Sequence, residues 1–148
     1  MVKVKICGKE YDMNCSVLTI ANYCNIFGME ANFGKDFSEA SDYYDKLVKC
    51  YELKKEVKDG KEKVVSAKIR DEDKYNAINY SSNLIVLATK LAYTFIRECD
   101  NTFMPYDEWA SSLTNVLDDI SWIKEVVGIA SNVFRRSLSQ QNQKWFWW

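Results

Sequence analysis

A long apolar stripe in the second half of the chain places the strongest constraint on the fold. Between residues 73 and 99, apolar side chains recur at alternating steps of three and four, at Tyr80, Leu84, Leu87, Ala88, Leu91, Ala92, Phe95 and Ile96. This spacing puts them on one side of an α-helix. We therefore predict a long helix over residues 73–99 at the centre of one hydrophobic core.

The first residues carry the alternating pattern of a β-hairpin. Apolar and polar side chains alternate over residues 2–13, and Gly8-Lys9 suits a two-residue turn with glycine first. With this turn, four apolar residues share one face of the ribbon in two cross-strand pairs, Ile6 with Tyr11 and Val4 with Met13. We expect another element of the fold to pack on this apolar face.

The segment after the hairpin predicts a first helix that covers it. Asn14 and Ser16 are possible caps, and Gly28 is a natural stop. The apolar residues expected to face the hairpin are Val17, Ile20, Ala21, Cys24 and Phe27. We expect the order β-β-α at the N-terminus.

Three further helices follow from the same kind of pattern. Asp36 with Glu39 resembles a capping box that begins the second helix. Pro105 suits the start of a short helix, and the last helix is predicted over residues 118–138. The predicted fold class is α+β, predominantly α, with an N-terminal two-stranded β-hairpin packed on a bundle of about four to five helices. We assign residues 1–138 to a single domain.

Two segments have a composition unlike the rest. Residues 54–74 are dominated by Lys, Glu and Asp, with a turn signal at Asp59-Gly60, which predicts an exposed hairpin or loop. Residues 139–148 change from Ser and Gln to a run of aromatic residues, which predicts a flexible tail with an aromatic end.

Charge and hydropathy exclude several classes of partner. The 20 basic and 21 acidic side chains leave a formal charge of −1, and no region gathers the basic face that nucleic acid requires. Apolar runs are far shorter than the ~20 residues that cross a bilayer, and the N-terminus lacks the apolar core of a secretion signal. We expect a cytoplasmic protein with no membrane span and no nucleic-acid partner.

The residues that usually carry chemistry are missing or scattered. The sequence has no histidine, and its five cysteines show no CxxC spacing, so we expect no metal, no cofactor and reduced thiols. Cys15, near the start of the first predicted helix, is the one arguable nucleophile, but the position also suits a small packed residue. The acid pairs Asp107-Glu108 and Asp118-Asp119 lie near predicted helix starts, where negative charge is favoured anyway. We therefore expect that the protein is not an enzyme.

Aromatic side chains are the best candidates for partner contact. Trp and Tyr are enriched at protein interfaces because they combine a large area with one polar group. Trp109 and Trp122 lie within predicted helices, where either core packing or partner contact is possible. The terminal aromatic residues have little core left to fill, and we predict that they contact a partner, a sister subunit or a membrane interface: Trp145, Phe146, Trp147 and Trp148.

The order of these features resembles the tail assembly chaperones of long-tailed phages and prophages. The resemblance rests on residues 4–11, the helix end Ile26-Phe27-Gly28, the stripe over residues 84–96, and Tyr106-Asp107-Glu108-Trp109 before Leu113 and Ile120. Together they span most of the chain. The charged segment 54–74 departs from the more compact members.

The resemblance implies a non-enzymatic protein that coats the phage tape measure protein during tail assembly and is absent from the finished tail. It places binding on the helical half, with Tyr106 and Trp109 matching the family pattern. Self-association is a further expectation by analogy. Two other classes stay open: a structural tail-completion or head-tail joining protein, and a small regulator of a host protein.

Overall fold

The computed structural model describes residues 1–137, except the side chains of Val65, Arg136 and Ser137. It confirms the predicted α+β class with a helical majority. The strands are β1 (Val2–Ile6), β2 (Lys9–Met13), β3 (Tyr51–Lys58) and β4 (Lys61–Ile69). The helices are α1 (Thr19–Phe27), α2 (Phe33–Lys49), α3 (Lys74–Cys99), α4 (Tyr106–Ser112) and α5 (Ser121–Ser137).

The N-terminal hairpin forms with a different turn from the predicted one. Cys7 and Gly8 occupy the turn with φ of 55° and 83°, so Ile6 pairs with Lys9. Two successive residues at positive φ match the right-handed twist of the strands. The predicted cross-strand pairs are therefore wrong, because Val4 pairs with Tyr11. The shift moves each partner by two residues and preserves the face, so the same four apolar side chains are buried.

The predicted cover of that hairpin is also wrong. Its apolar face packs on α3 and α5 rather than on α1. The N–H of Asn14 donates to the carbonyl of Phe95 at 3.2 Å, which fixes the end of β2 beside α3.

Helix α1 buries a different face from the predicted one. Thr19 and Tyr23 are buried, whereas Val17 is 58% exposed and Ile20 is also exposed. The reason is polar: the Glu98 carboxylate on α3 accepts a hydrogen bond from the Thr19 hydroxyl at 3.0 Å. Hydrogen bonds thus turn this side of α1 inward, and the predicted end at Gly28 is confirmed.

The starts of α2 and α5 differ from prediction by about one turn, whereas α3 and α4 begin within one residue of their predicted starts. Asn32, not Asp36, caps α2 by accepting the N–H of Lys35 at 3.0 Å. Asp119 lies before α5 and accepts the N–H of Ser121 at 2.9 Å. In both cases a side chain that satisfies a backbone N–H marks the start.

Helix α3 is the central helix, as predicted. All six residues from Leu91 to Ile96 are buried, so its second half is covered on every side. Its first half packs against α2 and leaves one side open. Within residues 1–137, no helix is both long enough and apolar enough to cross a membrane.

The charged segment is a hairpin. Strands β3 and β4 pair antiparallel across Asp59-Gly60, where φ is 55° and 75°. Aspartate followed by glycine favours this turn. A short 3₁₀ turn at Asp71–Asp73 leads into α3.

A candidate helix-binding surface on α3

Trp109 anchors α4 to the core. Its side chain is 1% exposed, and its indole N–H donates to the hydroxyl of Tyr11 at 3.2 Å. The indole also stands edge-on to the Tyr11 ring and lies 5.8 Å from the Tyr93 ring. Trp109 is therefore held by the fold itself, and its indole offers almost no surface to a partner.

Tyr106 joins three elements at the surface. Its hydroxyl lies 3.0 Å from that of Thr89 on α3, and its ring meets Phe27 of α1 edge-on at 5.0 Å. The side chain is half-buried. A shallow groove runs beside it, lined by Phe27, Tyr93 and Arg97 among others. Among the predicted contact residues within the described range 1–137, Tyr106 is the one that lies within reach of a partner.

Helix α4 covers part of one side of α3. Thr89, Tyr93 and Ile96 recur at steps of four and three and are buried on this side. Tyr93 donates its hydroxyl to the carbonyl of Met104 at 2.7 Å, just before α4 begins. Helix α3 thus already accepts another helix on this side.

The same side of α3 continues uncovered toward its N-terminus. We call this part the open α3 face: Tyr75, Ile78, Ser82 and Val86, at steps of three, four and four. Tyr75 is 79% exposed, Ile78 68% and Val86 51%. Steps of three and four are those with which helices pack along each other. The open α3 face is therefore a continuation, toward the N-terminus of α3, of the surface on which α4 packs.

The open α3 face carries no charge. The 15 residues between Lys74 and Lys90 include no Asp, Glu, Lys or Arg, in a chain that is 28% charged. The hydroxyl of Ser82 is also satisfied locally, because it donates to the carbonyl of Ile78 at 2.9 Å. Depletion of charge with exposed Tyr is typical of the centre of a protein interface.

Trp122, another predicted contact residue, lies away from the open α3 face. Trp122 is 2% exposed at the start of α5, and its indole N–H donates to the carbonyl of Val116 at 3.0 Å. It holds the connection from α4 against the core. The terminal aromatic residues lie outside the described residues: Trp145, Phe146, Trp147 and Trp148.

The thiols and carboxylates considered as catalytic groups lie in environments that indicate structural roles. Cys15 is buried, and burial raises the pKa of the Cys50 and Cys99 thiols, which disfavours thiolate. Among residues 1–137 no three side chains of the metal-binding types are grouped to hold an ion. The hydrogen bonds from Ser121 lower the pKa of Asp119, as expected of a helix cap.

Comparison with known proteins finds no matching family model, no similar curated protein and no similar solved structure.

Sequence reasoning missed the open α3 face, although a signal was present. The apolar stripe of α3 predicts only the buried side of the helix. The run of 15 uncharged residues between Lys74 and Lys90 marks the other side as well, because an ordinary solvent-facing side would carry charges.

Proposed function

We propose that this chain is a non-enzymatic protein that binds a helix of another protein on the open α3 face. The proposal rests on one observation: the open α3 face is continuous with the side of α3 on which α4 packs. An amphipathic helix laid along α3 would bury Tyr75, Ile78 and Val86 and would end beside Tyr106. Helix-in-groove recognition uses anchors at this spacing.

Within this class, the resemblance favours a phage tail assembly chaperone whose client is the tape measure protein. Such a client is long, helical and apolar, so its chaperone needs an uncharged helical surface rather than a pocket. On this proposal the protein acts in the cytoplasm of the bacterial host and leaves before the tail is finished.

The test is co-expression of the tagged protein with the tape measure protein encoded beside its gene, followed by affinity purification and size-exclusion chromatography. Ile78→Lys should abolish co-elution, because it places an unpaired charge in the middle of the contact. Asn76→Lys is the matched control, since residue 76 is exposed on the same helix but lies well off the open face.

Three outcomes separate the classes. Client binding that Ile78→Lys removes and Asn76→Lys retains supports a chaperone using this face. Presence of the chain in purified particles would instead indicate a structural tail-completion or joining protein. Binding to a host protein without any phage protein would indicate a host regulator.

A further inference from the structure

One flank of the open α3 face carries two asparagines. Asn79 directly follows Ile78 and Asn83 directly follows Ser82, so both lie on the same side of that face. Both are exposed. The side-chain amide of Asn83 donates to the backbone carbonyl of Asn79 at 3.0 Å, whereas the amide of Asn79 has no hydrogen-bond partner within residues 1–137. Asn79 therefore stands beside the apolar residues with an amide that can contact a partner.

Asn79 occupies a position where packed helices usually carry a charge. In coiled coils, the residues beside the apolar contact are often Glu or Lys, which pair across the interface and select the partner. The nearest charged residues of α3 are Lys74 and Lys90, toward the two ends of the open α3 face. The Nζ atom of Lys74 pairs with Asp71 at 3.0 Å, and that of Lys90 lies 5.5 Å from the centre of the Phe27 ring. Along the middle of the face, α3 thus offers an amide in place of a charge.

The neighbouring helix α2 places one ion pair near this stretch. The Nζ atom of Lys46 lies 5.8 Å from the centre of the Tyr80 ring and pairs with the carboxylate of Asp42 at 2.9 Å. Tyr80 lies on the side of α3 that packs on α2, where its ring centre is 6.4 Å from that of Tyr43. The ion pair is neutral as a whole, so it adds no net charge beside α3.

A charged side chain opposite Asn79 would lose hydration on binding and would find no opposite charge there. Removing an ion from water without such a partner is unfavourable for either sign of charge. An asparagine amide can donate and accept hydrogen bonds, but it cannot neutralise an ion, so the group that matches it is uncharged and polar. Asn79 therefore discriminates against acids and lysines alike, because it leaves both unpaired.

We infer that the helix bound on the open α3 face carries uncharged polar side chains, those of Gln, Asn, Ser or Thr, where it meets Asn79. The inference rests on the proposed function, because it describes the partner of the same face. It adds what the face selects, which is an apolar stripe with a neutral flank. A helix with acids or lysines beside its apolar stripe would bind more weakly, although its apolar residues are the same.

The first test introduces a charge of either sign at residue 79 and measures the affinity of the full chain for the immobilised tape measure protein. Asn79→Lys and Asn79→Glu should both weaken binding at least about tenfold, because a neutral flank can pair with neither charge. A client with an acidic flank would instead bind Asn79→Lys more tightly and Asn79→Glu more weakly, and a basic flank would reverse this order. The dependence on sign therefore separates a neutral flank from both charged alternatives.

Two kinds of control accompany this test. Asn79→Gln keeps the amide and should retain binding. Asn76→Lys and Asn76→Glu introduce the same charges on the same helix, well off the open α3 face, and should change the affinity by less than about twofold, because salt screens charges outside the contact. Residues 76 and 79 are both exposed, so each variant should keep the thermal unfolding transition of the wild type.

The second test is the dependence of the wild-type affinity on salt. Ion pairs near a protein surface weaken as salt screens them, whereas contacts between neutral groups do not. The affinity for the tape measure protein should therefore change by less than about twofold between about 0.05 M and 0.5 M NaCl.

Three results would overturn the inference and leave the proposed function standing, provided that Ile78→Lys still abolishes binding. They are opposite effects of the two charges at residue 79, no effect of either charge, and an affinity that falls steeply with salt. If the wild-type chain does not bind the tape measure protein, or if binding survives Ile78→Lys, the proposed function fails and the inference fails with it.

Discussion

The indole N–H of Trp109 donates a hydrogen bond to the hydroxyl of Tyr11 across 98 residues of sequence, and so ties α4 to the N-terminal hairpin. Both groups are buried, and their rings meet edge-on with centroids 5.9 Å apart. The short helix α4 has seven residues and little stability of its own. Its place on α3 therefore depends on this contact and on the rings around it.

We expect the pair to be energetically coupled. Tyr11→Phe and Trp109→Phe should each lower the free energy of unfolding, because each leaves the partner group buried without a hydrogen bond. The double variant should lose less than the sum, with a coupling of about 1 kcal/mol. Urea unfolding of the four proteins measures this coupling. Strict additivity would show that the hydrogen bond contributes nothing.

A second prediction concerns Glu98, which attaches α1 to α3. Its carboxylate accepts hydrogen bonds from Asn22 at 2.7 Å, Thr19 at 3.0 Å and Ser16 at 3.4 Å. Glu98→Gln replaces one acceptor oxygen by an amide NH₂ group. This group cannot accept a hydrogen bond and would face the donors of the neighbouring side chains. We expect a loss of about 2 kcal/mol of unfolding free energy, in the range for hydrogen bonds to charged groups.

The control for Glu98 is Glu125→Gln on the exposed side of α5. It makes the same chemical change in solvent and should alter stability by no more than about 0.5 kcal/mol. Equal effects of the two substitutions in urea unfolding would contradict the assigned role of Glu98.

The contacts of Trp109 and Glu98 show which parts of the fold sequence patterns do not predict. The long stripe of α3 predicts its own helix because burial follows a period that the sequence displays directly. The face of α1 was predicted wrongly because Thr19 is buried through its hydrogen bond to Glu98, and hydropathy assigns no burial to a hydroxyl. The neighbouring Tyr23 is buried by ring contacts with Phe27 and Phe33 and donates its hydroxyl to Asp36. The hairpin turn at Cys7-Gly8 was missed because cysteine is an unusual residue at positive φ.

The candidate site was predicted only in part, for a related reason. Tyr106 could be chosen because it matches the pattern of the family that the sequence resembles. The burial of Trp109 depends on Tyr11 from the distant hairpin, and no local pattern contains that pairing. The open α3 face is defined by the absence of charge over several turns, which a search for motif residues overlooks.

A third prediction is a loss of stability at alkaline pH that depends on Tyr23. Burial is the largest cause raising the pKa of this phenol far above its usual value, and the hydrogen bond to Asp36 adds to it. A group whose pKa is raised in the folded state stabilises the fold below its unfolded pKa, about 10 for tyrosine. Above that pH the unfolded chain loses the proton more readily, so stability falls.

Comparison with Tyr23→Phe isolates this effect from the other tyrosines. At neutral pH the variant should be less stable, because Asp36 loses its hydrogen-bond donor. As the pH rises above about 10, the difference between the two proteins should shrink, since only the wild type carries this phenol. Urea unfolding at a series of pH values measures it. A constant difference would mean that Tyr23 does not resist ionisation.

The last prediction separates binding from folding on α3. Ile78 is 68% exposed and contributes little to the core, so Ile78→Lys should change the unfolding free energy of the isolated protein by no more than about 0.5 kcal/mol. Ile123 on α5 is fully buried, and Ile123→Lys should prevent folding because it buries an unpaired charge. Thermal unfolding monitored by circular dichroism distinguishes the two. If Ile78→Lys also unfolded the protein, loss of client binding could no longer be assigned to the surface, and the open α3 face would belong to the core instead.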